Sequence, residues 1–226
     1  QTMRREMDLE EVSDGKLYTA RDLVKMGCQD CRGCWQCCTG MGTSVILDPW
    51  DVFHLEQGTG QDFPKLLTSA LELNVVDGIV LPNLRMGGPE ERCGFLNGEG
   101  RCRIHPYRPG FCRMFPLGRI YQEEGFRYFL QVHECPRLPG TKVKISRWLD
   151  IPDLKAYEAF VQAWHRLLKQ AEQALGHSPD SEADREVSLF ILKAFYLQPY
   201  DTAEDFFPQF DQRRRAGEAF LAERRP

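Results

Sequence analysis

The chain has 226 residues, a formal net charge of −4, and 42% hydrophobic, 11% aromatic and 27% charged residues. These values are typical of a globular protein with its own core, and the negative charge argues against nucleic-acid binding through the whole molecule. No apolar run approaches the roughly 18 residues of a membrane span, and the charged N-terminal segment lacks the apolar region of a signal peptide. We therefore expect a protein that binds neither nucleic acid nor membrane. The odd number of cysteines argues against paired disulfides, so we expect a reducing, cytoplasmic setting.

The first predicted elements are short. Thr19 is a candidate N-cap for an amphipathic helical turn within residues 18–26. Residues 44–47 predict a short strand. Asp48 then caps a helix whose first residue is Pro49, a position that proline favours.

Turn signals separate short strands in the middle of the chain. A second helix is predicted over residues 63–73, and Asp77 with the glycine after it lies between β-branched residues, which indicates a hairpin. Asn97 also precedes a glycine and turns the chain between two cysteines. The alternating segment 117–132 predicts a further hairpin about a Glu-Glu-Gly turn.

The pattern changes to helices near residue 147. Apolar residues recur at helical spacing in three segments, residues 153–175, 180–197 and 202–224. The third segment contains Pro208, which predicts a break in the helix. We therefore predict an α+β protein. Residues 1–147 form a Cys-rich metal-binding domain with short β-hairpins and helices, and residues 148–226 form a helical C-terminal region packed on it.

Nine cysteines are the most unusual feature of the chain. Five of them fall within eleven residues, at Cys28, Cys31, Cys34, Cys37 and Cys38, and four follow at Cys93, Cys102, Cys112 and Cys135. An odd number argues against a fully paired disulfide framework. Thiols at Cys-x-x-Cys spacing can face a single metal, so the pattern indicates a metal or iron–sulfur protein.

Three segments carry a family resemblance. Residues 31–38 read Cys-Arg-Gly-Cys-Trp-Gln-Cys-Cys, residues 93–96 read Cys-Gly-Phe-Leu, and residues 102–112 read Cys-Arg-Ile-His-Pro-Tyr-Arg-Pro-Gly-Phe-Cys. In this order they resemble the CxxCxxCC (YkgJ-like) family of zinc- or iron-chelating proteins, which includes flagellin lysine N-methylase-like proteins. The resemblance spans roughly residues 28–135 and does not cover the helical region.

The resemblance implies eight metal ligands: Cys31, Cys34, Cys37, Cys38, Cys93, Cys102, Cys112 and Cys135. Cys28 is an additional thiol that we rank last as a ligand. His105 stands where the family usually has an aromatic tyrosine, which is either a neutral exchange or an added imidazole near the metal, and we favour the exchange.

The sequence leaves two candidates for the metal, iron in an iron–sulfur cluster and zinc. A run of Cys-x-x-Cys-x-x-Cys with a remote fourth thiol is typical of iron–sulfur ligation, whereas zinc sites usually show two Cys-x-x-Cys pairs. We favour one or two iron–sulfur clusters of the 4Fe-4S type, with zinc as the alternative. The neighbouring Cys37 and Cys38 are expected to serve two centres or two irons, because successive side chains diverge.

Arginines flank the cysteines of the second half. Arg101, Arg103 and Arg113 are next to thiols, and Arg108 lies between two of them. Guanidinium charge would offset the negative charge of a thiolate-bound metal centre. We take Arg108 and Arg113 as candidate cofactor-binding residues and expect at least one of them to be structural.

Three functions follow from these patterns. The first is an iron–sulfur protein that acts in electron transfer or as the cofactor-bearing part of a modifying enzyme, with a redox or protein-substrate partner. The second is a zinc-stabilised structural or interaction module, and the third, implied by the resemblance, is a protein lysine N-methylase-like enzyme. The sequence contains no glycine-rich phosphate loop and no nucleophile elbow, so it offers no catalytic residue.

Overall fold

The protein is described by a computed structural model, and the structure describes residues 9–28, 34–175 and 181–224. Its helices are α1 (Leu9–Val12), α2 (Pro49–Thr59), α3 (Phe63–Ser69), α4 (Gly110–Met114), α5 (Ile145–Leu149), α6 (Leu154–Ala174), α7 (Glu182–Leu192) and α8 (Phe206–Ala222). Its strands are β1 (Leu23–Gly27), β2 (Leu71–Val76), β3 (Ile79–Leu84), β4 (Met86–Gly87), β5 (Arg92–Cys93), β6 (Leu117–Tyr121), β7 (Phe126–Leu130) and β8 (Thr141–Lys144). Helices and short strands occur together, as the predicted α+β class requires.

The described strands form antiparallel pairs. Three pairs, β2–β3, β4–β5 and β6–β7, join strands that follow one another in the chain, while β1 pairs with the distant β8. The β1–β8 pair therefore fastens the N-terminal segment beside the start of the helical region, with Leu23 opposite Lys144.

The predicted turns are present. Asp77 and Gly78 have φ angles of 51° and 83°, so the β2–β3 hairpin turns through two residues in the left-handed region. Asn97 accepts hydrogen bonds from the backbone N–H groups of Glu99 and Arg101 through its side-chain oxygen, and this turn brings the chain back between the two cysteines. The hairpin predicted over residues 117–132 is formed by β6 and β7.

Three sequence predictions need correction. The helical turn expected after Thr19 is wrong, because residues 23–27 form β1, whose Val24 and Met26 are buried on one face. The predicted helix over 63–73 ends at Ser69, after which β2 begins. The predicted strand over 44–47 is limited to single bridging contacts with β3, such as the one between Ile46 and Asn83.

The proline in the last helix does not break it. Pro208 is the third residue of α8, after the cap at Asp205. The first N–H groups of a helix have no acceptor within the helix, so a proline there removes no hydrogen bond. The predicted break at Pro208 is therefore wrong, and α8 continues to Ala222.

Helix α2 begins with a reciprocal capping pair. The Asp48 carboxylate accepts the Asp51 N–H at 2.9 Å, and the Asp51 carboxylate accepts the Asp48 N–H at 3.0 Å, with Pro49 first in the helix as predicted. Asp51 also accepts the backbone N–H of Gly110 at 2.7 Å, and this hydrogen bond is buried. The same carboxylate thus caps α2 and anchors the start of α4.

The C-terminal helices pack on the strand-containing part of the chain. Helix α6 buries Tyr157, Phe160 and Trp164, and its aromatic side chains contact those of α8. The N–H of Val80 in β3 donates to the hydroxyl of Ser188 in α7. Among the described residues, none of the helices combines the length and the apolar character needed to cross a membrane.

We predict that Gly110→Ala destabilises the protein. An added Cβ would overlap the hydroxyl of Tyr157, whose side chain is fully buried, and overpacking of this kind costs about 1–3 kcal/mol. The free energy of unfolding, measured in urea, should fall by that amount. Tyr157→Phe removes the hydroxyl and should restore part of the loss in the double variant. Gly98→Ala, whose Cβ meets no atom within 4 Å, is the neutral control.

We also predict a pH dependence from His54 in α2. Burial lowers the pKa of His54 to about 4, below its ordinary value of 6.5. The unfolded chain therefore binds a proton before the folded protein does, and His54 reduces the free energy of unfolding as the pH falls from about 6.5 to 4, by up to about 3 kcal/mol. Urea unfolding of the wild type and of His54→Gln should show a smaller acid-side loss in the variant. An equal loss in both proteins would contradict the prediction.

Candidate metal centre

Six cysteines line one cavity of about 150 Å³: Cys34, Cys37, Cys38, Cys93, Cys102 and Cys112. The first three belong to the N-terminal group and the last three to the second group, so the fold brings the two sequence groups together. The turn at Asn97 returns the chain from β5, and α4 supplies the last of the six. Thiols that are far apart in the sequence therefore share one site.

Cys135, another predicted ligand, lies near the N-terminal thiols. Burial raises the pKa of Cys135, and the nearby thiols of Cys28, Cys34 and Cys37 raise it further. The Cys135 thiol is therefore near enough to the N-terminal thiols to interact with them electrostatically. Cys31, which the resemblance also implies as a ligand, lies outside the described residues.

Four of the six cavity thiols, those of Cys37, Cys93, Cys102 and Cys112, have a raised pKa. A hydrogen bond with Cys38 is the main reason for the raised pKa of Cys37, followed by burial. Burial raises the pKa of Cys112 well above its ordinary value, and the thiols of Cys37 and Cys93 add to the effect. A cation bound among them would stabilise the thiolates, so metal binding here must release protons.

Cys37 and Cys38 lie close enough for their thiols to hydrogen-bond, and their expected roles as ligands of two irons or two centres stay a prediction. A 3₁₀ turn over Gln36–Cys38 carries both residues, and both thiols face the same cavity. The two sulfurs can therefore contribute to one centre.

Backbone amides donate to several of these sulfurs. The N–H groups of Phe95 and Ile104 hydrogen-bond to the thiols of Cys93 and Cys102, each two residues earlier in the chain, and each bond lowers the pKa of the thiol against the larger effect of burial. Cys135 accepts in the same way from the second residue after it. Such N–H···S bonds stabilise negative charge on a sulfur ligand.

Two arginines act on the thiols through their charge. Burial raises the pKa of Cys102, and the charges of Arg108 and Arg103 oppose it. Arg108 lines the thiol cavity, where its Nη1 lies 2.7 Å from Nε2 of His105, another lining residue. Its position agrees with the cofactor-binding role predicted for Arg108, which stays a prediction.

The hydrogen bonds of Arg113 hold backbone segments together. It is 5% exposed, and its guanidinium donates to the backbone carbonyls of Arg108, Pro106 and Asp150. It also lies over the ring of Trp50, 5.6 Å from the centroid. These bonds fix the turn before α4 against the end of α5, as expected for at least one of the two arginines. Arg113 lines the thiol cavity as well, so its predicted contact with a cofactor remains a prediction.

The sequence did not indicate two features of this site. Asp51 appeared only as part of a helix start, yet it holds Gly110, two residues before Cys112. The apolar wall, which includes Phe95, Leu84 and Met86, also had no sequence signal. Both depend on contacts between segments that are distant in the chain.

The donor chemistry fits a thiophilic metal. Six thiols around one cavity suit zinc or iron and exclude the oxygen-rich sites that magnesium and calcium require. However, no three His, Cys, Asp or Glu side chains of the described residues lie close enough together to hold a metal ion. The thiols surround a space and do not converge on one point.

Comparison with known proteins identifies part of this chain. A search of curated proteins and of solved structures finds no match. Residues 30–136 match the family model CxxCxxCC, described as a "putative zinc- or iron-chelating domain", and this range includes the six cavity thiols. The match confirms the resemblance found in the sequence motifs: residues 30–136 are similar to the CxxCxxCC domain.

Proposed function

We propose that the thiol cavity holds an iron–sulfur cluster, and that this cluster acts in electron transfer or as the cofactor of a modifying enzyme. The observation that supports the proposal most is the meeting of six thiols from both sequence groups around one cavity. The cytoplasmic location expected from the sequence belongs to this proposal. None of the eight described cysteines forms a disulfide bond, and unpaired thiol chemistry of this kind is typical of reducing compartments.

The number of thiols favours a cluster over a single zinc ion. One tetrahedral zinc takes four ligands, whereas six described thiols line the cavity. A cluster places several irons and sulfides between its cysteine ligands, so thiols from both sequence groups can reach it without meeting at one atom.

The surroundings of the thiols suit a redox centre. When bound, an iron–sulfur cluster supplies a site that accepts and returns one electron. The protein supplies N–H···S bonds from Phe95 and Ile104 and positive charge from Arg108, and these stabilise the more negative, reduced state. Trp35 is 46% exposed and packs against Gly100, a lining residue, so an aromatic surface is available to a partner beside the cavity.

A second cavity favours the modifying-enzyme form of the proposal over a simple electron carrier. It has a volume of about 500 Å³, and Phe115 lines both cavities. Substrate-sized cavities next to a metal centre are typical of enzymes. The zinc-stabilised module and the lysine N-methylase-like enzyme are the rival functions.

Metal analysis after anaerobic purification tests the proposal. We predict a brown protein that contains iron and acid-labile sulfide, with visible absorption that dithionite bleaches. Colourless protein with stoichiometric zinc and without sulfide would refute the proposal and support the structural module. Among variants, Cys112→Ser should lose most of the iron and the absorption, because its thiol lines the cavity. Cys28→Ser is the matched control and should keep both.

Substitution of the two candidate arginines should affect different properties, the reduction potential for Arg108 and the free energy of unfolding for Arg113. Arg108→Gln is predicted to make the reduction potential of the cluster more negative, because it removes a positive charge near Cys102. Arg113→Gln is predicted to lower the free energy of unfolding by at least about 1 kcal/mol, because it leaves buried carbonyls without donors. A redox titration and urea unfolding of both variants measure the two effects. An unchanged potential in Arg108→Gln, or unchanged stability in Arg113→Gln, would contradict the assignment of that residue.

A further inference from the structure

The second cavity has walls from several elements. Helix α4 contributes Phe111 and Met114, β6 contributes Arg119 and Tyr121, and α6 contributes Trp164 together with Val161, His165 and Leu168. Its volume of about 500 Å³ is within the range of small-molecule sites. Most of its lining is apolar or aromatic. The thiol Cys112 is on the same helix, α4, but faces the other cavity.

Arg119 is a cation in this cavity without an ionic partner among the described residues. No carboxylate of the described chain lies within ion-pairing distance of its guanidinium. Its guanidinium hydrogen-bonds to a thioether, Sδ of Met114 at 3.3 Å, and to the hydroxyls of Tyr157, at 3.4 Å, and Tyr121, and it lies over the rings of Phe126 and Tyr157. None of these partners is an anion, and a carboxylate that enters the cavity would be a stronger acceptor for its N–H groups.

Two acidic side chains line the cavity, and neither forms an ion pair with Arg119 within the part of the chain that the structure describes. One oxygen of Asp48 accepts the N–H of Asp51 at the start of α2. Burial raises the pKa of Asp48, and the charge of Arg119 opposes that shift. Glu134 lies at the exposed rim, where water screens its charge. Arg119 is the only lysine or arginine among the described residues that line the cavity.

The single guanidinium of Arg119 favours one class of ligand. A single guanidinium matches the two oxygens of a carboxylate in a bidentate contact. A phosphate dianion would need further cations, and no other described residue of the lining is a lysine or arginine. The apolar walls require the rest of the molecule to be hydrophobic, and Tyr121 and His165, whose rings stack with centroids 3.6 Å apart, present an aromatic surface to it.

We propose that this second cavity is a binding site for a small amphipathic carboxylate, with its carboxylate on Arg119 and its apolar part between Trp164 of α6 and Phe111 of α4. This site goes beyond the proposed metal function, and binding there does not depend on which metal the thiols hold.

Calorimetric titration of the purified full chain tests the site with three probes of equal length: octanoate, 1-octanol and octylamine. We expect octanoate to bind at least about tenfold more tightly than the other two, because only it can pair with the guanidinium. Equal binding of 1-octanol, tighter binding of octylamine, or no binding of octanoate would overturn the proposal.

Variants locate the binding. Arg119→Met should weaken octanoate binding at least about tenfold while leaving 1-octanol binding unchanged. Arg127→Met, on the exposed side of the same hairpin, is the matched control and should bind octanoate as the wild type does. If Arg119→Met does not fold, Met41→Trp tests whether octanoate binds in this cavity. Met41 is half-buried in the cavity lining, and the larger side chain should reduce octanoate binding by occupying the space. Unchanged binding in a folded Arg119→Met or Met41→Trp protein would overturn the proposal.

Iron, zinc and sulfide are measured in each preparation used for titration. A metal result that refutes the iron–sulfur proposal leaves the carboxylate result intact, and the reverse also holds. The two proposals therefore fail separately.

Discussion

Helix α4 depends on a buried contact with α2, and both cavities depend on α4. The carboxylate of Asp51 accepts the N–H of Gly110, and the absence of a side chain at Gly110 lets the hydroxyl of Tyr157 approach the same point. Arg113 holds the other side of the helix through backbone carbonyls. With its backbone held from two directions, this five-residue helix can direct Cys112 into the thiol cavity. A helix this short would not be stable alone, so these contacts determine its position.

The thiol cavity favours different protonation states of its sulfurs with and without a metal. Burial and mutual repulsion raise the pKa of Cys112 and Cys93, so these thiols keep their protons when no cation is near them. The N–H donors and the charge of Arg108 act in the opposite direction, and their effect is greatest when the sulfurs are negative. The surroundings are therefore arranged for thiolates, which is the form that a metal requires.

Structural elements that depend on neighbouring residues could be predicted from the sequence, whereas contacts between distant segments could not. The Asp48–Pro49 helix start and the Asp77 hairpin are determined by neighbouring residues, and both are present. The turn expected after Thr19 became β1 because its partner β8 lies more than a hundred residues later. The thiol ligands were recognisable as a set from their spacing, whereas their gathering around one cavity could not be read from the chain. Arg119 had no sequence signal, because the cavity that it lines is built from segments that are distant in the chain.

Both proposed sites depend on helix α4, so binding at one site can change the binding free energy at the other. Phe111 and Met114 face the second cavity from the helix that carries Cys112 into the first, and Phe115 lines both. A ligand that displaces α4 on one side must also move a thiol on the other, so the two binding free energies are coupled to the extent that α4 can move. The bonds of Asp51 and Arg113 oppose that movement. The stiffness of these bonds therefore decides whether the cavities act as one unit or as two independent sites.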